Sequence, residues 1–174
     1  MKFVAGVLST IAFAVLVGVA ILYSGVIDVA ASTGQGPFMH WLLDTGMRHS
    51  VLAHAPSDSN PGAPSPQRVR DGAHEFKEHC VGCHGAPGVP QNAMAKAMTP
   101  EPPDLKDSAR DWNAGQLRWI VEHGVKMTAM PAWGQVLKPD EMDGLVAFLR
   151  TLPGLTAVDY QKMTAGGGTQ EQGS

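Results

Sequence analysis

Two cysteines and a histidine, Cys80, Cys83 and His84, form a C-x-x-C-H motif near the middle of the chain. This spacing is the attachment pattern of a c-type haem. Each thiol can form a thioether with one haem vinyl group, and the adjacent histidine then offers an imidazole nitrogen to the iron. The motif therefore predicts one covalently bound haem c, attached through Cys80 and Cys83 and ligated by His84.

Other uses of a C-x-x-C pair fit this chain less well. A structural zinc site needs a second ligand pair at suitable spacing, and the chain contains no third cysteine. A thioredoxin-like redox motif needs a βαβ setting, whereas a segment rich in glycine and proline follows His84. A disulfide between Cys80 and Cys83 stays open as an alternative, but it would leave His84 without a role.

Helices on both sides of the motif are expected to position it. Residues 67–79 carry apolar side chains at helical spacing and lead directly into the motif. Asn113 is a suitable N-cap for a helix over 114–123, and Gly124 suits the position after its end. Pro139 followed by two acidic residues is typical of the start of a last helix. These patterns predict an all-α fold.

The region 69–152 resembles the class I cytochromes c. That family places a glycine and an aromatic residue eight and four positions before the first haem cysteine, as Gly72 and Phe76 lie here. The resemblance implies a class I cytochrome c fold, in which a few helices surround one haem and the first helix crosses the last. Three residues of the last helix are candidates to contact Gly72 and Phe76, namely Leu145, Phe148 and Leu149.

Among such proteins, the chain is most similar to the single-haem domains that are subunits or partners of haem–copper oxidases. Relatives with two haems carry two C-x-x-C-H motifs, whereas this chain carries one. The resemblance therefore implies a mono-haem domain and leaves the whole-protein assignment to such a subunit open.

The second axial ligand is expected in residues 125–134, which contain Met127 and Met130. The resemblance implies Met130, because class I cytochromes often place the ligand methionine just before a proline. A thioether is a soft, neutral ligand that favours Fe(II), so it raises the reduction potential. Met127 is an alternative ligand, with Met130 then packing in the interior, and His123 is a further alternative.

Residues 3–27 contain no charged side chain and, as a helix, would reach about 37 Å, enough to cross a hydrocarbon core of about 30 Å. Lys2 before the segment favours a cytoplasmic N-terminus. The alternative is a cleaved signal peptide, although the apolar run exceeds the usual length of about 7–15 residues. Both interpretations place the haem domain on the periplasmic side of a bacterial inner membrane.

The sequence predicts five segments. They are a transmembrane signal anchor at 1–33, an interfacial or juxtamembrane helix at 34–54, a Pro/Ser-rich linker at 55–66, a haem domain at 67–160 and a disordered tail at 161–174. Trp41 would anchor the second segment in the headgroup layer, although a docking helix for a larger complex is an alternative. The linker could extend to about 40 Å and let the haem domain swing between partners.

These residues predict an electron carrier with no catalytic residues. The haem would be held by Cys80, Cys83, His84 and Met130, with His84 and Met130 as the iron ligands. Because both axial positions would be filled, no small-molecule substrate is expected, and the partners would be redox proteins such as a terminal oxidase, a dehydrogenase or another membrane complex. The net charge of −3 argues against nucleic-acid binding.

Two alternative functions stay open at this point. One is a permanently docked haem subunit of a larger oxidase or dehydrogenase complex. The other is a peroxidase-like haem enzyme, which requires that neither Met127 nor Met130 coordinates the iron.

Overall fold

The computed structural model describes residues 2–56 and 64–165. In this part of the chain the regular structure is helical, and no strand occurs beyond an isolated bridge between Ala86 and Val89. The expected all-α class is confirmed. The chain divides into two compact units, Met1–Gly34 and Gln35–Ser174.

The first unit is built on α1, Lys2–Tyr23. Its 22 residues reach about 33 Å, and it is the one helix in the described residues that is long and apolar enough to cross a membrane. The helix ends four residues earlier than the apolar run in the sequence, and Gly25 follows with a φ of 73°. A short 3-10 turn, Ala31–Thr33, precedes the boundary between the units.

The second unit contains the remaining described helices. They are α2 Pro37–His54, α3 Pro66–His79, α4 Val81–His84, α5 Ala93–Lys96, α6 Leu105–Ser108, α7 Ala114–His123, α8 Pro139–Thr151 and α9 Ala157–Thr164. The predicted ends of α7 are confirmed, since the Asn113 side chain accepts a hydrogen bond from the Gln116 amide at 2.9 Å and Gly124 has a φ of 65°. The helix predicted to be last is α8, and α9 follows it.

The crossing of α3 and α8 forms the centre of this unit. A Cβ on Gly72 would overlap the Gly144 carbonyl group and lie 2.8 Å from the Leu145 amide nitrogen. One turn further along α3, the fully buried rings of Phe76 and Phe148 lie 5.1 Å apart, measured between centroids. The crossing expected from the sequence is therefore present. The closest neighbour of Gly72 is Gly144, a residue that the sequence analysis did not identify.

Helix α9 packs on the outer side of this crossing. The Tyr160 ring meets Phe76 edge-on at 6.5 Å, and Lys77 donates a hydrogen bond to the Thr164 carbonyl at 3.2 Å. The prediction of a disordered tail from residue 161 is wrong for residues 161–164, because they continue a helix whose Tyr160 and Thr164 are buried. Residues 166–174 of that predicted tail lie outside the described residues.

Helix α2 packs against α7 in the same unit. Val51 is fully buried, and the His54 ring stacks on the Trp119 ring with centroids 5.9 Å apart. Arg48 lies 3.8 Å from the Asp111 carboxylate. These contacts attach the C-terminal half of α2 to the domain that follows it.

The position of α2 changes the domain organisation expected from the sequence. Residues 55–66 connect two helices of one compact unit, and Pro66 is already the first residue of α3. Residues 57–63 of the predicted linker lie outside the described residues. The boundary between units falls instead at Gly34, before α2.

Candidate haem-binding site

The C-x-x-C-H motif forms one helical turn directly after α3. Cys80 ends α3, and its carbonyl oxygen accepts hydrogen bonds from the amides of Cys83 at 3.1 Å and His84 at 2.9 Å. Residues at positions i, i+3 and i+4 of a helical turn lie on the same side. The two thiols and the imidazole are therefore presented on one side of this turn.

A tight turn follows the motif and reverses the direction of the chain between Ala86 and Val89. Gly85 has a φ of 68°, and a Cβ there would lie 3.0 Å from the Val89 carbonyl oxygen. Ala86 and Val89 exchange two backbone hydrogen bonds of 2.8 Å. A Cβ on Gly88 would lie 2.8 Å from the Cβ of Ala157, so the start of α9 packs closely against this turn.

His84 is held by the backbone on one side of its ring. Its Nδ1 lies 2.8 Å from the carbonyl oxygen of Pro103, which can only accept a hydrogen bond. The proton is therefore assigned to Nδ1, and the lone pair of Nε2 is left for a metal. Burial lowers the pKa of His84, while the Pro103 carbonyl and Asp104 act in the opposite direction.

The sequence analysis did not identify Pro103 as the partner of His84. The only indication of such a partner in the sequence is the proline-rich segment after residue 99. This segment cannot form a regular helix and so leaves carbonyl groups free. Which of these carbonyls meets the imidazole depends on how the segment folds back, and local sequence does not contain that information.

The two thiols are free, with Cys80 buried in the hydrophobic core and Cys83 partly exposed. Burial raises the pKa of Cys80 to about 12, and the neighbouring Cys83 and Glu75 add to this effect. A thiol that stays protonated is a poor redox nucleophile and a poor metal ligand. Within the described residues, no group of three or more His, Cys, Asp or Glu side chains could hold a metal ion on its own.

The structure separates the two candidate methionines. Met130 is partly buried and packs against the hydrophobic core. Its amide donates to the Thr128 hydroxyl at 3.1 Å, and that hydroxyl donates to the Val125 carbonyl at 2.7 Å. Met127 is 74% exposed and has a φ of 61°. The loop thus holds Met130 toward the interior and leaves Met127 on the surface.

The same loop returns to the end of α7. A Cβ on Gly124 would lie 2.6 Å from the Pro131 carbonyl carbon and 2.7 Å from the Met130 carbonyl oxygen, so this approach requires a glycine. His123 is exposed, and its ring contacts Trp119 at 5.0 Å. The surface position of His123 makes it a weaker candidate ligand than Met130.

These residues fit a haem. Two free thiols lie one turn apart, the adjacent imidazole has an available nitrogen, and a thioether is held in a loop against the core. Several partly buried apolar side chains pack on the core and could cover an apolar macrocycle. They are Val81, Ala86, Leu105, Trp112, Met130 and Trp133. When bound, haem supplies a reversible one-electron change at iron.

The helical fold and this site define a c-type cytochrome domain with one haem-binding motif. Residues 67–149, just under half of the chain, match the family described as cytochrome c oxidase, cbb3-type, subunit III. The match supports a mono-haem c-type cytochrome related to oxidase subunits and confirms the resemblance inferred from Gly72, Phe76 and the motif. It indicates haem-based electron transfer with redox proteins as partners.

The matched segment contains Cys80, Cys83, His84 and Met130. Helices α1, α2 and α9 lie outside the matched segment. No solved structure matched the chain.

Proposed function

We propose that this protein is a membrane-tethered mono-haem cytochrome c that carries single electrons between redox proteins on the periplasmic side of the bacterial inner membrane. The observation that carries the proposal is His84, whose Nδ1 is tied to Pro103 while Nε2 stays available, directly after two free thiols. Cys80 and Cys83 would attach the haem covalently. His84 and Met130 would ligate the iron from its two sides.

The chain's own residues tune such a site in two ways. The Pro103 carbonyl fixes the orientation and tautomer of His84. It also makes Nε2 a better electron-pair donor to a metal. Thr128 fixes the backbone that presents Met130, a soft ligand that raises the reduction potential. With both axial positions occupied, the protein would exchange electrons without binding a reactant, so we propose that it is not an enzyme.

The ligand assignment is tested by a pair of methionine variants, Met130→Ala and its matched control Met127→Ala. We expect Met130→Ala to lose the sulfur-to-iron charge-transfer band of the ferric protein, to bind carbon monoxide when reduced, and to have a lower reduction potential. Met127→Ala should keep the wild-type spectrum. The opposite pattern would transfer the ligand role to Met127, and fast peroxide turnover by the wild type would favour the enzyme hypothesis.

The membrane location rests on α1, which has the length and composition of a spanning helix, and on Lys2 before it. A signal sequence near the N-terminus has the same features. N-terminal sequencing of the mature protein separates the two, because an anchor keeps residues 1–33 and a cleaved signal loses them. An anchored protein also stays in the membrane after an alkaline carbonate wash.

The family match favours one second candidate, a permanently docked haem subunit of a larger oxidase or dehydrogenase. The proposed electron transfer is the same in both cases, and only the lifetime of the partner contact differs. Purification in mild detergent distinguishes them, since a fixed subunit copurifies in constant ratio with its complex and a free carrier does not.

A further inference from the structure

Helix α2 has apolar residues on two opposite faces. The inner face contains the buried Val51 and the partly buried Leu43 and Met47. Residues three or four positions apart share a face of a helix. By this spacing, six residues form the opposite face of α2, which we call the outer face. They are Phe38, Trp41, Leu42, Thr45, His49 and Leu52.

The outer face is mostly apolar, and its apolar residues are exposed. Phe38 is 69% exposed, Trp41 and Leu42 are 59% and 45% exposed, and Leu52 is 59% exposed. The rings of Phe38 and Trp41 adjoin, with centroids 6.1 Å apart. The acidic and basic residues of the helix, Asp44 and Arg48, pair with each other at 3.1 Å on its flank. The outer face itself carries no Asp, Glu, Lys or Arg.

The inner face fixes how the outer face is presented. His54 stacks on Trp119, and Arg48 reaches Asp111 and lies 5.4 Å from the centre of the Trp112 ring. Because α2 is packed against the same unit that carries the haem motif, its outer face turns only with that unit. Whatever covers the outer face therefore orients the haem domain.

Chain order and chemistry favour a lipid surface as the occupant. Residues 24–36 separate α1 from α2 and span at most about 45 Å when extended, so a membrane-spanning α1 keeps the start of α2 within that distance of the bilayer. Aromatic residues are enriched at that surface, and an apolar helix face inserts at the boundary of headgroups and acyl chains. The aromatic pair lies at the end of α2 that is nearest to α1 in the sequence.

We propose that α2 lies in the headgroup layer through this outer face and holds the haem domain against the membrane in one orientation. The inference rests on the proposed anchoring of α1. It replaces the idea of a haem domain swinging on residues 55–66. The haem domain would diffuse in the plane of the membrane. It would always present the same side to partners embedded in the same bilayer.

The test uses the full chain in phosphatidylcholine nanodiscs that hold one copy each. A phospholipid with a photoactivated carbene precursor near its headgroup labels the residues in contact with it, and peptides are then mapped by mass spectrometry. We expect label on α1 and on residues 38–52. The variant Phe38→Ser/Trp41→Ser/Leu42→Ser should lose the α2 label and keep the α1 label. The control Val158→Ser, which changes an exposed apolar residue of α9, should keep both.

The outcomes separate this inference from the proposed anchor. Label on α1 without label on α2 would overturn the inference and leave the anchor in place. Absence of label from both helices would overturn both. If the outer face of α2 is covered only when a disc holds two copies, or only by another protein in native membranes, the inference is also overturned. The occupant would then be that second copy or that protein. Labelling should not change with salt, because the outer face carries no Asp, Glu, Lys or Arg.

A second readout does not depend on labelling. In oriented membranes, electron paramagnetic resonance reports the angle between the haem plane and the membrane. We expect a narrow angular distribution for the wild type and a broad one for the triple variant, with the same ferric spectrum in solution. A wild-type distribution as broad as that of the variant would contradict the inference.

Discussion

Two helix contacts of the second unit differ in how they are built. The α3–α8 crossing brings Gly72 onto Gly144 with no space for a Cβ, and buries Phe76 against Phe148. The contact of α2 with the rest of the unit includes one buried valine, a ring stack on α7 and a partly exposed ion pair with Asp111, which precedes α7. Because the first contact leaves no space for a side chain at Gly72 and the second is less closely packed, we expect the first to be required for the fold and the second to be dispensable.

The largest effect is expected at the glycine crossing. Gly72→Val places side-chain atoms inside the Gly144 carbonyl group, and backbone atoms cannot move aside without separating the helices. We expect no folded, haem-loaded protein, measured by the haem absorbance of membranes from a host that matures c-type cytochromes. The control is Gly46→Ala on α2, where a Cβ meets nothing within 4 Å, and it should be tolerated or slightly stabilising.

The next effect concerns the aromatic pair behind the crossing. Phe76→Ala removes a fully buried ring from contact with Phe148 and Tyr160, and should lower the free energy of unfolding by about 3–5 kcal/mol. Denaturant unfolding in detergent measures this value. Phe38→Ala is the control, since that ring is exposed, and it should leave unfolding nearly unchanged. Equal effects of the two variants would contradict the assignment of the core.

The α3–α8 crossing was open to prediction because its evidence is local. Gly72 and Phe76 lie at fixed distances before Cys80, and the ends of α7 are marked by Asn113 and Gly124. The α2–α7 contact was not predictable, because each face of α2 is apolar and the sequence does not show which one is buried. Pairings such as His84 with Pro103 depend on how a proline-rich loop returns, so local patterns did not identify them.

A smaller effect is expected where α2 is attached. Val51→Ala removes two buried methyl groups and should cost about 1–2 kcal/mol in the α2 contact. Hydrogen exchange should become faster in α2 and stay unchanged in α3 and α8. Leu52→Ala, its exposed neighbour, should change neither. If Val51→Ala also speeds exchange in α3 and α8, the two contacts form one cooperative unit and the comparison fails.

The smallest effect concerns the start of α8. Glu141 accepts hydrogen bonds from the Lys138 amide at 2.8 Å and from its ammonium group at 3.2 Å, and the first of these is the main reason why its pKa is lowered from 4.5. Since the folded state favours the carboxylate, this stabilisation is present above the usual pKa and is lost as pH falls through the lowered one.

Glu141→Gln should therefore lower the Tm slightly near neutral pH and have no effect in acid below the lowered pKa of Glu141. Thermal unfolding of the wild type and the variant across this range measures the difference. Glu101→Gln, at an exposed residue outside the helices, is the control. A gap between wild type and Glu141→Gln that widens in acid would contradict the assigned contact.

The central claim is that the turn from Cys80 to His84 binds haem covalently. Mass spectrometry of the peptide that contains this turn, taken from protein matured in a suitable host and washed with acidified organic solvent, tests it most directly. The account predicts a peptide carrying the mass of one haem through two thioethers. A peptide of unmodified mass, with pigment absent or released into the solvent, would contradict it.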